Sequence, residues 1–236
     1  MFGCVTMILM LTALIAGERR VSAQDLPPPL TLARLQPDAQ SGQLGDGNSS
    51  LSRDAAPSSL WRAGVGEGFN RGAQELGFSL GYGLGVKVFG GGTIHNWGIA
   101  TAEYGWVLTD VVAADHWYRG NWELLGQVFG GGQYHPNAAY FAGGGPLLRY
   151  NFAVGHRWVP FIDAGGGGTA TDIRNGDLSA TFEFNLQIAI GARYFLKDNL
   201  ALTAQCRFMH LSDAGITSPN LGVNTRNFLL GVTWFF

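Results

Sequence analysis

From about residue 73 to the end of the chain, apolar side chains alternate with polar or very small ones at a period of two. The first run sets Leu76, Phe78, Leu80, Tyr82, Leu84, Val86 and Val88 against Gly77, Ser79, Gly81, Gly83, Gly85 and Lys87. The clearest sets Phe182, Phe184, Leu186, Ile188, Ile190, Ala192 and Tyr194 against Thr181, Glu183, Asn185, Gln187, Ala189, Gly191 and Arg193. Successive side chains of a strand point to opposite faces, so each run reads as a strand with one greasy and one different face. Similar runs near 98–112, 121–132, 138–155, 158–171, 200–211 and 226–236 bring the total to about eight strands.

The polar faces decide which side is inside. They carry Glu, Arg, Lys, Asn and Gln interleaved with Gly and Ala, as a narrow barrel filled by its own side chains requires, so the greasy faces must meet lipid. Several runs exceed the roughly 9–11 residues a tilted strand needs to cross a bilayer. Aromatics gather near strand ends, where Trp97, Trp106, Trp117, Trp122, Trp158, Tyr194 and Trp234 are candidates for interfacial girdles, and the chain ends on Trp234, Phe235 and Phe236. The expected fold is all-β: an eight-stranded antiparallel transmembrane β-barrel in the outer membrane, spanning 71–236. After residue 23 no apolar run approaches the ~20 residues of a membrane-spanning helix. A barrel this small leaves no room for a solute pore.

Upstream, the apolar stretch from Val5 to Ala16 and the small-residue tripeptide Val21-Ser22-Ala23 read as a signal peptide over 1–23. Residues 24–70, with Pro27, Pro28, Pro29, Pro37 and Pro57 and no sustained periodicity, read as a flexible, disordered lead-in. The net charge of −2 supplies no basic face, which excludes a nucleic-acid partner. His95, His116, His135 and His156 lack metal-ligand spacing and read as exposed turn histidines, so neither metal nor organic cofactor is expected. The Gly165–Gly168 run has no Lys-Ser/Thr pair and no helix after it, and reads as a strand kink or bulge rather than a phosphate loop.

Chemistry concentrates before the last strand. With the barrel's C-terminus on the periplasmic side, strand 226–236 descends and strand 200–211 ascends, so the segment Phe208 to Asp213 reaches the extracellular rim. Leu202, Ala204, Cys206, Phe208 and His210 share the lipid-facing side, and Ser212 joins them if the strand persists. A polar pair on that side is costly unless it is used or hydrogen-bonded. The i, i+2 spacing sets an imidazole beside a hydroxyl, so the ring can take the serine proton and the alkoxide can attack an ester. A His-x-Ser alone fits interfacial hydrogen bonding to lipid headgroups better than catalysis.

The surrounding stretch, His210-Leu211-Ser212-Asp213-Ala214-Gly215-Ile216 and then Pro219-Asn220-Leu221-Gly222-Val223-Asn224, resembles the outer-membrane lipid A 3-O-deacylase family (PagL-type). The resemblance implies an eight-stranded barrel esterase that removes the 3-linked acyl chain from lipid A of lipopolysaccharide in the outer leaflet. On this reading Ser212 is the nucleophile, His210 the general base and Asn224 the group that orients the imidazole, with Asp213 and Asn220 as the oxyanion or orienting neighbours. Two positions depart from the family: Asp213 stands where Asn is common, and Asn224 where characterised members have Glu. A non-catalytic structural or lipid-binding barrel that retains the motif is the alternative, and homodimerisation is left open.

Overall fold

Alternating runs of this kind can satisfy their backbone hydrogen bonds in lipid only by pairing with one another and closing the edge. The computed structural model, which describes residues 70–88, 92–154, 157–174 and 176–236, does this. Its strands are β1 (Gln74–Gly85), β2 (Asn96–Val107), β3 (Gly120–His135), β4 (Ala139–Phe152), β5 (Trp158–Thr171), β6 (Phe182–Lys197), β7 (Leu200–Ser212) and β8 (Val223–Phe235). All eight pair antiparallel with their sequence neighbours, and β8 pairs back onto β1 to close the barrel. The signal peptide read over 1–23 and all but the last residue of the lead-in read over 24–70 lie outside the described residues.

Large apolar side chains cover the outside: Leu80, Val128, Leu186, Ile188, Leu230 and Trp234 are all exposed. Most charged residues of the strands are inside, with Glu75, Glu103, Glu123, Arg149, Asp163, Arg193 and Arg207 almost fully buried; Arg226 of β8, opposite Phe208 on the outer face, and the exposed Lys197 at the end of β6 are exceptions. That inversion identifies lipid as the solvent of the outer face. Three of the four connections at one rim are long (86–95, 172–181 and 213–222, against the short 136–138), and two of the three at the other are short (153–157 and 198–199, against the long 108–119). The former rim is therefore extracellular. The exposed tryptophans Trp106, Trp122 and Trp234 ring the periplasmic rim, and Trp117 stands in the 108–119 connection beside it.

Trp97 departs from the girdle expected of it. Its side chain is fully buried in the lumen, where the indole N–H donates to Asn227 Oδ1 at 2.7 Å and the ring packs on Phe141 with centroids 4.6 Å apart. The interior is layered. Trp97, Phe129, Phe141, Leu211 and Val223 form an apolar plug towards the outer end, and Val107, Val159, Phe195 and Phe235 form another at the periplasmic end.

Between them lies an ion-pair belt. Arg149 reaches Asp163 at 2.8 Å, Glu103 at 3.1 Å and Glu75 at 3.3 Å; Arg207 bridges Asp163 at 3.1 Å and Glu103 at 3.2 Å; Arg193 pairs with Glu75 and Glu123. The belt ties strands from all around the wall.

The four-glycine run expected as a kink or bulge lies inside β5, with the register in step on both sides of it: Gly144 pairs with Gly168 and Leu147 with Gly165. Close approach, not a bulge, explains the residue type. A Cβ on Gly167 would lie 2.0 Å from the Gly144 carbonyl oxygen, and one on Gly145 2.2 Å from that of Gly166.

Arg149→Met leaves three buried carboxylates short of their common partner. It is expected to lower the unfolding free energy by about 3–5 kcal/mol, measured by urea titration of tryptophan fluorescence in phospholipid vesicles. A loss well under about 1 kcal/mol would show that the belt does not hold the wall together.

Candidate functional site

β7 delivers His210 and Ser212 to its outer end. Two residues apart on one strand, they share the outward face, and Ser212 is the strand's last residue. β8 begins at Val223 rather than near 226, because Val223, Asn224 and Thr225 pair with Leu211, His210 and Met209. The earlier start places Asn224 inside the strand and directly opposite His210, where side chains share a face.

The three side chains form one hydrogen-bonded chain. Ser212 Oγ lies 3.0 Å from His210 Nε2, and Asn224 Oδ1 lies 2.7 Å from His210 Nδ1. The amide's orientation is set from behind: Asn224 Nδ2 donates to the Val88 carbonyl at 2.8 Å, which leaves Oδ1 towards the ring. A carbonyl oxygen can only accept, so Nδ1 carries the proton. Nε2 is then the acceptor facing the Ser212 hydroxyl, the tautomer a general base requires. Asn224 is itself buried, while His210 and Ser212 are half-buried and open to the lipid side.

Gly222 closes the back of the ring. It has φ +75°, and a Cβ built on it would stand 2.8 Å from His210 Cε1, so both conformation and space call for glycine. Preceding it, the 213–217 turn is organised by Asp213. Its Oδ1 accepts from the Gly215 N–H at 2.9 Å, and its Oδ2 accepts from the Thr217 N–H at 2.7 Å and from the Thr217 hydroxyl. Ala214 and Gly215 both take positive φ to make the turn.

The Thr217 hydroxyl and these N–H groups hold the Asp213 carboxyl below the usual carboxylate range. Neither Asp213 nor Asn220 is hydrogen-bonded to His210 or Ser212 among the described residues. Asn220, in the 213–222 connection, has a buried Oδ1 without a hydrogen-bond partner there.

A second polar cluster braces the rim from inside. His95, expected as an exposed turn histidine, is buried, with Nδ1 2.7 Å from Gln133 Oε1 and Nε2 2.9 Å from Asp177 Oδ2. Both partners lie on connections or strands distant in sequence, so its burial has no local signature. Asp177 Oδ2 also accepts from Thr93 N, and its main-chain carbonyl takes the N–H groups of Leu221 and Gly222 at 2.9 and 3.2 Å. Gln133 Nε2 donates to the Asn137 carbonyl at 2.9 Å. All four extracellular connections thus meet through Asp177 and His95, and the tie ends at the glycine behind His210. Burial pushes the Asp177 carboxyl up, but hydrogen bonds from His95 and Thr93 outweigh it and hold it below its ordinary value. His116 and His135 are exposed, and His156 lies outside the described residues. No group of three or more metal-type ligands occurs among the described residues.

Sequence reasoning passed over Gly222, Val88 and Asp177. Gly222 carried the signal of a glycine next to a strand start; Val88 contributes only a backbone carbonyl, which no side-chain pattern reveals.

Fold and site together define an outer-membrane β-barrel with a hydrogen-bonded Ser–His–Asn chain on its lipid-facing wall. The family model for lipid A 3-O-deacylase (PagL) matches residues 78–233, and the chain belongs to that family. Among curated proteins, none matches this chain in sequence. Solved structures similar to it include the outer-membrane enzyme PagL, 18% identical over 66% of this chain and 97% of that one with a TM-score of 0.50. Neisserial surface protein A is another, 15% identical over 70% of this chain and 100% of that one with a TM-score of 0.53. At these identities the likeness is one of fold.

Gly222→Ala forces a Cβ towards the imidazole and is expected to cost about 1–3 kcal/mol. It should also break the Ser212–His210–Asn224 chain, read as altered 15N and N–H signals of the His210 ring in micelles; an unchanged ring spectrum would contradict the packing role. For Asp213 the folded carboxyl titrates below its unfolded value, so its contribution to the turn is present above the unfolded pKa and lost as pH falls through the folded one. Amide protection at 215–217 should hold at pH 5 and collapse only below about pH 4 in hydrogen-exchange measurements.

Proposed function

We propose that the protein is an outer-membrane esterase that removes an ester-linked (3-O) acyl chain from lipid A of lipopolysaccharide, with Ser212 as nucleophile, His210 as general base and Asn224 as the orienting group. The observation that carries this reading is the hydrogen-bonded chain of Ser212, His210 and Asn224 at the outer rim, on the face that meets lipid. Family membership supports the substrate class.

The chemistry runs as acyl transfer. Ser212 Oγ attacks the ester carbonyl carbon while its proton passes to His210 Nε2, and the carbonyl oxygen takes the negative charge. As the intermediate collapses, the bond from the acyl carbon to the sugar oxygen breaks, and that oxygen takes the proton from Nε2. Water then attacks the acyl-serine, gives its proton to Nε2, and the proton returns to Ser212 Oγ as the free fatty acid leaves.

Asn224 keeps Nδ1 protonated throughout. It stabilises the imidazolium less than a carboxylate does, because it offers a dipole and not a charge. Asp213, its two oxygens engaged by its own turn, is read as a holder of the loop after the nucleophile rather than an orienting group for His210.

Mass spectrometry of lipid A incubated with the purified barrel tests the reading. Wild-type protein should remove one hydroxyacyl chain, and Ser212→Ala and His210→Ala should each reduce the rate by about 10³-fold or more. Unchanged lipid A with wild-type protein would favour a non-catalytic lipid-binding barrel, and cleavage that survives Ser212→Ala would reject the nucleophile. Asn224→Asp supplies a carboxylate behind the ring and favours its protonated form. The acid limb of the pH–rate profile should therefore move to higher pH.

A further inference from the structure

Two recesses open on the lipid-facing wall beside the proposed catalytic pair, and Leu186 borders both. The first, about 460 Å³, runs from Ser212 and Ala214 across β6 to the glycines of β5, walled by Phe182, Phe184 and Leu186. The second, about 410 Å³, lies against His210 and is walled by Leu186, Ile188 and Phe208.

Strand register explains both shapes. Ser212 pairs with Phe184, and Phe184 with Gly168; His210 pairs with Leu186, and Leu186 with Gly166. Opposed residues of an antiparallel pair share a face, so Gly166 and Gly168 stand on the outer face and add no side chain there. The Phe182 ring lies over Gly168 and Leu186 reaches over Gly166, and these side chains wall the recess that Ser212 and Ala214 border on its other side. On the other side of Leu186, Ile188 and Phe208 are directly opposed, and their side chains frame the hollow at His210.

Acyl transfer by a Ser–His pair parts the two halves of an ester in a fixed sense. The acyl carbon becomes bonded to Ser212 Oγ, whereas the leaving oxygen must sit at His210 Nε2 to receive the proton. The hydrocarbon attached to the acyl carbon therefore departs on the serine side, and everything that stays with the alcohol lies on the histidine side. An acylated glucosamine bearing an ester-linked chain on one carbon and an amide-linked chain on the next presents one chain to each.

We infer that the recess beside Ser212 holds the ester-linked chain that is released, that the recess beside His210 holds the neighbouring amide-linked chain that stays on the sugar, and that Leu186 separates the two. The inference rests on the deacylase reading for its assignment of sides. Both linings are predominantly apolar and face the leaflet from which such chains come, and each is continuous with one member of the pair. Leu186, 61% exposed, is a ridge and not a packed core residue, so its truncation leaves the wall intact.

Two diacyl glucosamine probes test this, each with a mid-chain diazirine, one on the ester-linked and one on the amide-linked chain. They are photolysed with full-length Ser212→Ala protein in phosphatidylcholine vesicles, and the labelled residues are mapped by mass spectrometry. The ester-chain probe should label the 166–168 and 182–184 segments, and the amide-chain probe Ile188 and Phe208. Leu186→Ala should merge the two patterns. Identical or reversed labelling by the two probes, or labelling no different from that by a phosphatidylcholine bearing the same diazirine, would overturn the inference. Because photolysis needs no turnover, the readings separate: sorted labelling with a wild-type protein that cleaves nothing retains the two subsites and removes the deacylase reading. Cleavage with unsorted labelling does the reverse.

Discussion

In a bilayer the backbone has no water to turn to, and a strand edge left open there is prohibitively costly. Pairing of β8 with β1 removes the last edge, and most of the remaining architecture follows from that closure. A closed wall of eight strands encloses a lumen narrow enough for side chains to fill, and the inward face supplies counter-charges from within as the belt of Arg149, Arg193 and Arg207 with four carboxylates. Closure also opposes slippage, because shifting β4, β6 or β7 by one residue would send Arg149, Arg193 or Arg207 into lipid. His210, Ser212 and Asn224 inherit their common outward direction from this locked register rather than from local packing.

Within that frame the Asn224 amide takes the orientation its neighbours permit. Asn224 has an oxygen and a nitrogen of nearly equal size, and either could face the imidazole. The Val88 carbonyl removes the ambiguity by requiring a donor, and Gly222 removes the ring's freedom to retreat. A carboxylate could not bond to Val88 in this way without carrying a proton. The backbone acceptor at Val88 thus suits an amide at position 224.

Much of this was legible in the sequence, because a period of two reports side-chain direction along each strand and His210 and Ser212 sit on one such period. The strand count, the greasy exterior and the rim position of the pair all follow from it. Asn224 was reached through the family resemblance and not through spacing, since its proximity to His210 depends on β8 starting at Val223. What could not be read is what other strands supply. Trp97 enters the lumen because Gly83 and Asn227 on other strands leave a slot for it: a Cβ on Gly83 would fall 2.2 Å from the indole nitrogen. His95 is buried because Gln133 and Asp177 come to meet it. The β5 glycines likewise answer to the backbone of β4 and, at Gly168, to the Phe182 ring of β6, neither visible in the run itself.

The cross-tied rim has a kinetic consequence. The described parts of the four outer connections are joined through Asp177 and His95, and the Ser212–His210 pair opens sideways onto the leaflet. A site used in this way exchanges substrate and product by lateral diffusion within a two-dimensional fluid. Its encounter rate would be governed by the surface density and viscosity of the surrounding lipid rather than by bulk concentration.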